Sequence, residues 1–109
     1  MTENRRHNAR KITSQEVMLS QGRSFKMCKL HDISLESALI EVGWAQLTHD
    51  TPVDITIDLP VTDGIRPFHL PGVVKRVTTH GTVIEFNDLE PQAFAALARY
   101  INLQNNADD

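Results

Sequence analysis

The sequence predicts a mainly β fold: a small six- to seven-stranded antiparallel β-barrel with a C-terminal helix. Short apolar runs separated by turn residues fill most of the chain from residue 14 onward, which is typical of strands joined by hairpins. The hydrophobic period changes to that of a helix only after Pro91. Strands this short usually close into a barrel, and a length of 109 residues suits a single domain.

The first strands are predicted in the N-terminal half of the chain. Residues 14–21 form a first strand, and a hairpin turn leads into a second strand over residues 24–33. The apolar positions of this second strand change parity between Met27 and Cys28, which indicates a β-bulge. Residues 38–42 alternate again and predict a third strand.

The clearest strand covers residues 53–59, where four aliphatic residues alternate with two acids and a threonine. That pattern predicts a strand with one buried face and one solvated face. Further strands are predicted over 65–70, 73–78 and 82–86, with turn signals at Pro71-Gly72 and His80-Gly81 between them.

The helix is predicted over residues 91–103. Its apolar residues recur with helical spacing at Phe94, Leu97, Ala98 and Ile101. Pro91 suits the first turn, and Asp88 or Glu90 suits the cap. We expect the helix to cover an open end of the barrel or to pair with another copy, which leaves a homodimer open. Residues 104–109 predict a disordered tail.

The charge is divided unevenly along the chain. Residues 1–30 carry seven Lys and Arg against two acids, whereas residues 31–109 carry four against twelve, and the net charge is −3. A protein that binds duplex DNA usually has a high pI, but this pI is about 5.9. The pattern favours a small anion over a long polyanion. With no apolar run long enough for a membrane span or a secretion signal, we expect a cytoplasmic protein.

No pattern in the sequence indicates catalysis. The five histidines lack metal-ligand spacing, so we expect no zinc site. Cys28 is the only cysteine in the sequence, so we expect no disulfide within the chain. His31 and Asp32 are neighbours in a predicted strand and point to opposite faces, which argues against a dyad. We find no nucleophile motif and no phosphate-binding glycine loop. The sequence therefore predicts a protein that is not an enzyme.

A cluster of arginines stands at the start of the chain. Arg5, Arg6 and Arg10 lie in a polar segment, residues 1–13, that predicts a flexible arm. Guanidinium groups grip phosphates and guanine edges with paired hydrogen bonds, so the arm suits an anion clamp. The alternative is a solvated basic terminus without a role.

Two further positions carry side chains suited to a ligand. Asp32 and Ser34 are two residues apart, so in a strand they share a face and suit a base edge or an arginine. The alternative for this pair is a turn at the end of a strand. Arg76, in the strand over 73–78, is either a solvated charge or a cation that stacks on a ligand ring.

Together these motifs resemble the PilZ domain, a family of bacterial cyclic di-GMP receptors. Residues 5–10 resemble the RRxxxR motif, and residues 32–37 resemble the D-x-S-x-x-G motif with Ser37 in place of its glycine. Residues 72–76 and 81–86 resemble later strands of the family. The resemblance covers about residues 5–103.

The resemblance implies a receptor in which Arg6 and Arg10 grip a guanine edge and a phosphate. Asp32 would accept from the guanine N1–H and N2 amine, and Ser34 would bind the ligand or hold the Asp32 rotamer. An arginine at the position of Arg5, just ahead of the motif, is associated in this family with binding of two ligands, so the resemblance implies two ligands per domain. The arm would order on the nucleotide and signal to an unidentified protein that controls motility, exopolysaccharide and biofilm, or pili.

Two rival functions follow from the same sequence. If the glycine replaced by Ser37 is needed for positive φ or for close approach of the ligand, the chain is a PilZ-type protein-interaction adaptor that does not bind nucleotide. A small barrel for single-stranded nucleic acid would need aromatic stacking platforms on its strands, but only six aromatic residues occur in the chain and two of them fall in the predicted helix.

Overall fold

The computed structural model describes residues 9–41 and 48–107, with side chains described as far as residue 102. This part of the chain contains seven strands and a C-terminal helix. The strands are β1 (Lys11–Ile12), β2 (Glu16–Gln21), β3 (Ser24–Ile33), β4 (Ser37–Ile40), β5 (Pro52–Val61), β6 (Gly64–Thr78) and β7 (Gly81–Phe86), and the helix is α1 (Pro91–Ala107).

Six of these strands form a closed antiparallel barrel. The strand order is β1-β3-β2-β5-β6-β7-β4, and an additional pairing of β3 with β4 closes the ring. Strand β1 is the extra strand. It pairs with the last residues of β3, beyond the part of β3 that pairs with β2, because Ile12 pairs with Asp32 and Glu16 pairs with Lys29. The predicted fold class is confirmed.

The core follows the alternation that the sequence shows in β5. Val53, Ile55, Ile57 and Leu59 are each no more than 6% exposed, whereas the residues between them face outward. Burial of such a side chain contributes about 1.5–3 kcal/mol relative to leaving it in water. These four side chains belong to one cluster of buried residues to which β2 to β7 and α1 all contribute.

The bulge in β3 exists, but the prediction of its place was wrong. The register shifts between Leu30 and Asp32, at His31, rather than between Met27 and Cys28. The parity change has another cause: Phe25 and Met27 are apolar residues on the outward face of β3, 71% and 54% exposed, whereas Cys28 and Leu30 lie on its buried face.

Strand β6 is longer than the sequence predicts. It runs unbroken from Gly64 to Thr78, so the predicted bend at Pro71-Gly72 does not end a strand. Gly72 instead permits close packing, because a Cβ at this position would collide with the backbone carbonyl of Glu85 on β7. The irregularity of β6 lies between Val74 and Arg76.

The boundaries at the two ends also differ from expectation. Lys11–Ile12 pairs with β3, so the last part of the predicted arm belongs to the sheet, while residues 1–8 lie outside the described residues. The helix continues to Ala107, past residue 103, where the tail was expected to follow. The division into an arm over 1–13, a domain over 14–103 and a tail over 104–109 otherwise stays a prediction.

The helix packs on the barrel of its own chain. Ala93, Ala96, Leu97 and Ile101 are buried in the core cluster, and α1 contacts β5, β6 and β1. The Tyr100 hydroxyl, on the same helix, donates to Gln15 Oε1 at 2.7 Å. The expectation that the helix packs against the barrel is therefore met, whereas the homodimer through the helix stays a prediction. Within the described residues, no helix is long and apolar enough to cross a bilayer.

Candidate functional site

Arg10 stands at the centre of the candidate site, one residue before β1. Its Nε and Nη2 both donate to Asp32 Oδ1, at 2.8 and 2.6 Å. The two side chains are partly open to solvent, 39% exposed for Arg10 and 22% for Asp32. The pair is therefore formed at the surface, where another molecule has access to both groups.

The same guanidinium reaches two hydroxyls. Arg10 Nη1 donates to Ser34 Oγ at 3.4 Å and to Ser37 Oγ at 3.3 Å. The predicted juxtaposition of an arginine with the aspartate and serine motif is thus present in the fold. All three motif side chains converge on one guanidinium.

The strand register explains this convergence. Ile12 pairs with Asp32 and Lys11 pairs with Ile33, so continuing the register by one residue places Arg10 opposite Ser34. The bulge at His31 shifts the register of β3 by one position just before this point. The extra strand β1 therefore delivers Arg10 to the end of β3.

Ser34 also builds the turn between β3 and β4. Its Oγ accepts from the backbone N–H groups of Glu36 and Ser37, both at 3.2 Å, and its own N–H donates to the carbonyl of Ser37 at 2.8 Å. Ser34 is only 2% exposed. The Ser34 hydroxyl therefore both stabilises the turn and accepts from Arg10, so the predicted turn role and the predicted site role do not exclude one another.

Ser37 takes the place of the motif glycine without backbone strain. Among the described non-glycine residues, positive φ occurs only at Asp50 and Asp88, so Ser37 does not have it. Ser37 is the first residue of β4 and keeps an ordinary strand conformation. The cost that would attend a serine at positive φ does not arise here.

Arg76 is not part of the cluster around Arg10. It is exposed on β6 and pairs with Val83 on β7. Val83 pairs with Leu39 on β4, and Leu39 pairs with Asp32 on β3. Three strand spacings separate Arg76 from Asp32, about 14 Å. Arg5 and Arg6, the other predicted arm residues of the site, lie outside the described residues.

Sequence reasoning missed the apolar surface between these groups. Leu39 and Val83 are half-buried, and each alternates with buried neighbours, so both face outward from the barrel. They form a short apolar strip between Asp32 and Arg76. Their position two residues from Ser37 and from Gly81 was visible in the sequence, but only strand pairing shows that they are adjacent.

Two other kinds of group are candidates for reactivity, the Cys28 thiol and clusters of metal-ligating side chains. Burial raises the pKa of the Cys28 thiol to about 11, with the charge of Glu41 adding to the effect, so the thiol stays protonated at neutral pH. In the described ranges, no group of three or more His, Cys, Asp or Glu side chains is placed to hold a metal ion.

Comparison with known proteins places the chain among small β-barrel domains. The family model described as the PilZ domain matches residues 4–103. No curated protein matches the chain in sequence.

Two solved structures share the fold. A structure of the Bacillus subtilis inhibitor of motility (MotI/DgrA) has a TM-score of 0.73 and 16% identity, covering 90% of this chain and 50% of that one. The chain thus spans half the length of that protein. The PilZ domain of CeSA, from a cellulose-synthesizing bacterium, has a TM-score of 0.69 and 22% identity, covering 87% and 97% of the two chains.

Proposed function

The chain belongs to the PilZ domain family, and on that premise we propose that it is a cyclic di-GMP receptor whose nucleotide site is centred on Arg10 and Asp32. The single observation that carries the proposal is the convergence of Asp32, Ser34 and Ser37 on the guanidinium of Arg10. These residues come from both motifs of the family and lie 22 to 27 positions apart in the chain.

Binding exchanges partners at this cluster. Asp32 accepts from the N1–H and N2 amine of guanine, a donor pair that adenine lacks, and Arg10 turns to the O6 and N7 edge or to a phosphate. A bidentate contact of this kind contributes about 1–3 kcal/mol of discrimination. A partly exposed ion pair such as Arg10–Asp32 contributes about 0–1 kcal/mol. Because the existing pair contributes so little, giving it up for contacts to guanine costs little, and the pair holds both side chains in position for the ligand.

The rest of the proposal follows the family. Arg5 and Arg6 close over the ligand from the arm, Arg76 stacks at the far end of the apolar strip, and two cyclic di-GMP molecules bind per domain. The receptor acts in the cytoplasm without catalysis or a metal ion. The ordered arm signals to a partner protein that controls motility, biofilm formation or pili.

Calorimetric titration with cyclic di-GMP tests the proposal. We expect Asp32→Ala to weaken binding by about 10- to 100-fold, because two charge-assisted hydrogen bonds to guanine are lost. The same variant should lose its preference over cyclic di-AMP. Asp54→Ala is the matched control, since Asp54 is also a partly exposed carboxylate but hydrogen-bonds His69 on another part of the barrel. Its affinity should equal that of the native chain.

The clamp is tested by the double substitution Arg6→Ala with Arg10→Ala. Binding at the native affinity in this variant would refute the role of the arginines. Unchanged selectivity in Asp32→Ala would refute the guanine contact, whatever the affinity.

The second candidate function is a PilZ-type adaptor that binds protein without nucleotide. The observation that favours it is the same cluster, because Arg10 and Asp32 already satisfy one another and suit a purely structural role. In that case the native chain shows no heat of binding with cyclic di-GMP, and Arg10→Ala lowers the free energy of unfolding.

A further inference from the structure

A groove lies beside the candidate nucleotide site. It opens between the turn joining β3 to β4, the end of β7 and the first turn of α1, with a volume of about 460 Å³. Leu35, Phe86 and Leu89 form its half-buried floor, and Phe94 stands at its edge with 46% of its surface exposed. Phe94 therefore places an exposed aromatic ring beside other apolar side chains at the mouth of the groove.

The rim of the groove is acidic. Glu36, Glu85 and Asp88 line it, and no basic residue is found among the described residues of the lining. Lys75 lies 3.5 Å from Glu85 and offsets one of the three charges. The groove therefore presents an apolar floor inside a field that attracts cations.

The groove and the nucleotide site share one turn. Ser34 and Ser37 face Arg10, while Leu35 and Glu36, between them, line the groove. The Ser34 hydroxyl is bound to the N–H groups of Glu36 and Ser37, so the turn is a rigid unit. A ligand that draws Arg10 away from these serines changes the contacts of the same turn that forms one wall of the groove.

We propose that this groove binds a partner protein through a basic segment, with Lys or Arg side chains beside an apolar anchor that packs on Phe94. The acidic rim excludes an anionic lipid surface and a nucleic acid by like-charge repulsion. The coupling of the groove to the nucleotide rests on the proposed function; the binding of a basic segment does not.

The test begins with a phage-displayed library of random twelve-residue peptides selected on the full chain. We expect enriched peptides to carry two or more Lys or Arg next to a Leu or aromatic residue. A synthetic peptide of the enriched sequence, followed by fluorescence anisotropy, should bind Phe94→Ser at least tenfold more weakly and Glu36→Lys at least fivefold more weakly than the native chain.

The matched control is Phe25→Ser, which removes a phenylalanine that is even more exposed, at the hairpin between β2 and β3. Its affinity for the peptide should be native. Circular dichroism shows whether each variant is folded, and since Phe94 and Glu36 are exposed, both should be.

Enrichment of acidic peptides, no enrichment, or an equal loss in Phe25→Ser and Phe94→Ser would overturn the proposal. So would self-association in sedimentation that Phe25→Ser abolishes, because the groove would then hold the hairpin of a second copy.

The nucleotide enters in a separate titration. Where calorimetry shows that cyclic di-GMP binds, the peptide affinity should change at least threefold in its presence, and an unchanged affinity overturns the coupling. Where calorimetry shows no nucleotide binding, the proposed function fails, and the peptide result still decides the groove.

Discussion

Ser37 shows how much the meaning of one residue depends on its backbone. A glycine in the family motif suggests a position that needs positive φ, and a serine there would cost on the order of 1 kcal/mol. In this chain the position begins a strand with ordinary dihedrals, and the serine adds a hydroxyl 3.3 Å from Arg10 Nη1. The substitution is accommodated by the fold and enlarges the cluster.

We therefore expect Ser37→Gly to change the affinity for cyclic di-GMP by no more than about tenfold, since the one hydrogen bond lost, a long and exposed contact to Arg10 Nη1, contributes about 0.5–1.5 kcal/mol net. Calorimetry measures this change, with Ser37→Ala as the control that removes the hydroxyl and keeps the Cβ. If Ser37→Gly binds nucleotide while the native chain does not, the adaptor is the correct function.

Two glycines at strand starts show how elements are joined. Gly64 and Gly81 begin β6 and β7 with φ of 142° and 152°, values that side chains rarely adopt. A Cβ on Gly64 would meet open space, whereas one on Gly81 would collide with the Ile40 carbonyl on β4. Gly81 thus allows β4 and β7 to pair closely, and this pairing forms the wall that carries Ser37.

Gly81→Ala should lower the free energy of unfolding more than Gly64→Ala does. Both substitutions incur the backbone strain, of about 1–3 kcal/mol, but only Gly81→Ala adds a backbone collision. We expect the difference to be at least about 1 kcal/mol. Urea unfolding of the two variants beside the native chain measures it, and equal losses would show that the collision is relieved without cost.

Elements were predictable from the sequence where the residue pattern is local. The strand over 53–59 buries the face that its periodicity shows, and the helix begins at Pro91 as predicted. The buried face of the helix includes Ala93 and Ala96, whereas Phe94 of the predicted face is exposed. The bulge at His31 and the pairing of Lys11–Ile12 depend on contacts across strands. No local pattern contains that information, and the apolar parity of β3 indicated the wrong position.

At the scale of the whole molecule, closure of the barrel assembles the candidate site. Arg10 and Ser37 are 27 positions apart in the chain, and they meet because β3 pairs with both β1 and β4. The sequence motifs predicted the participation of Arg10, Asp32, Ser34 and Ser37, since a shared ligand requires them to be close. Their hydrogen bonds to one another follow only from the closed sheet.

A ligand that binds this assembled site should stabilise the entire domain. At a free nucleotide concentration of 100 times Kd, binding contributes about 2.7 kcal/mol. For a domain near this size, each kcal/mol raises Tm by about 4–8 °C. We therefore expect cyclic di-GMP to raise Tm by about 10 °C or more in calorimetric scans. At the same nucleotide concentration Asp32→Ala, with its roughly 10- to 100-fold weaker binding, should show about half of this shift or less. An equal shift in both proteins would place the ligand elsewhere.

Tyr100 has a consequence for anything attached to the domain. Its hydroxyl lies 2.7 Å from Gln15 Oε1, and its ring lies 4.3 Å beneath Lys11 Nζ, the residue that follows Arg10. Strand β1 and the C-terminal helix are therefore in contact on one side of the molecule. A reporter attached to α1 near Tyr100 lies close to Arg10, which makes this part of the helix suited to sensing nucleotide binding by energy transfer.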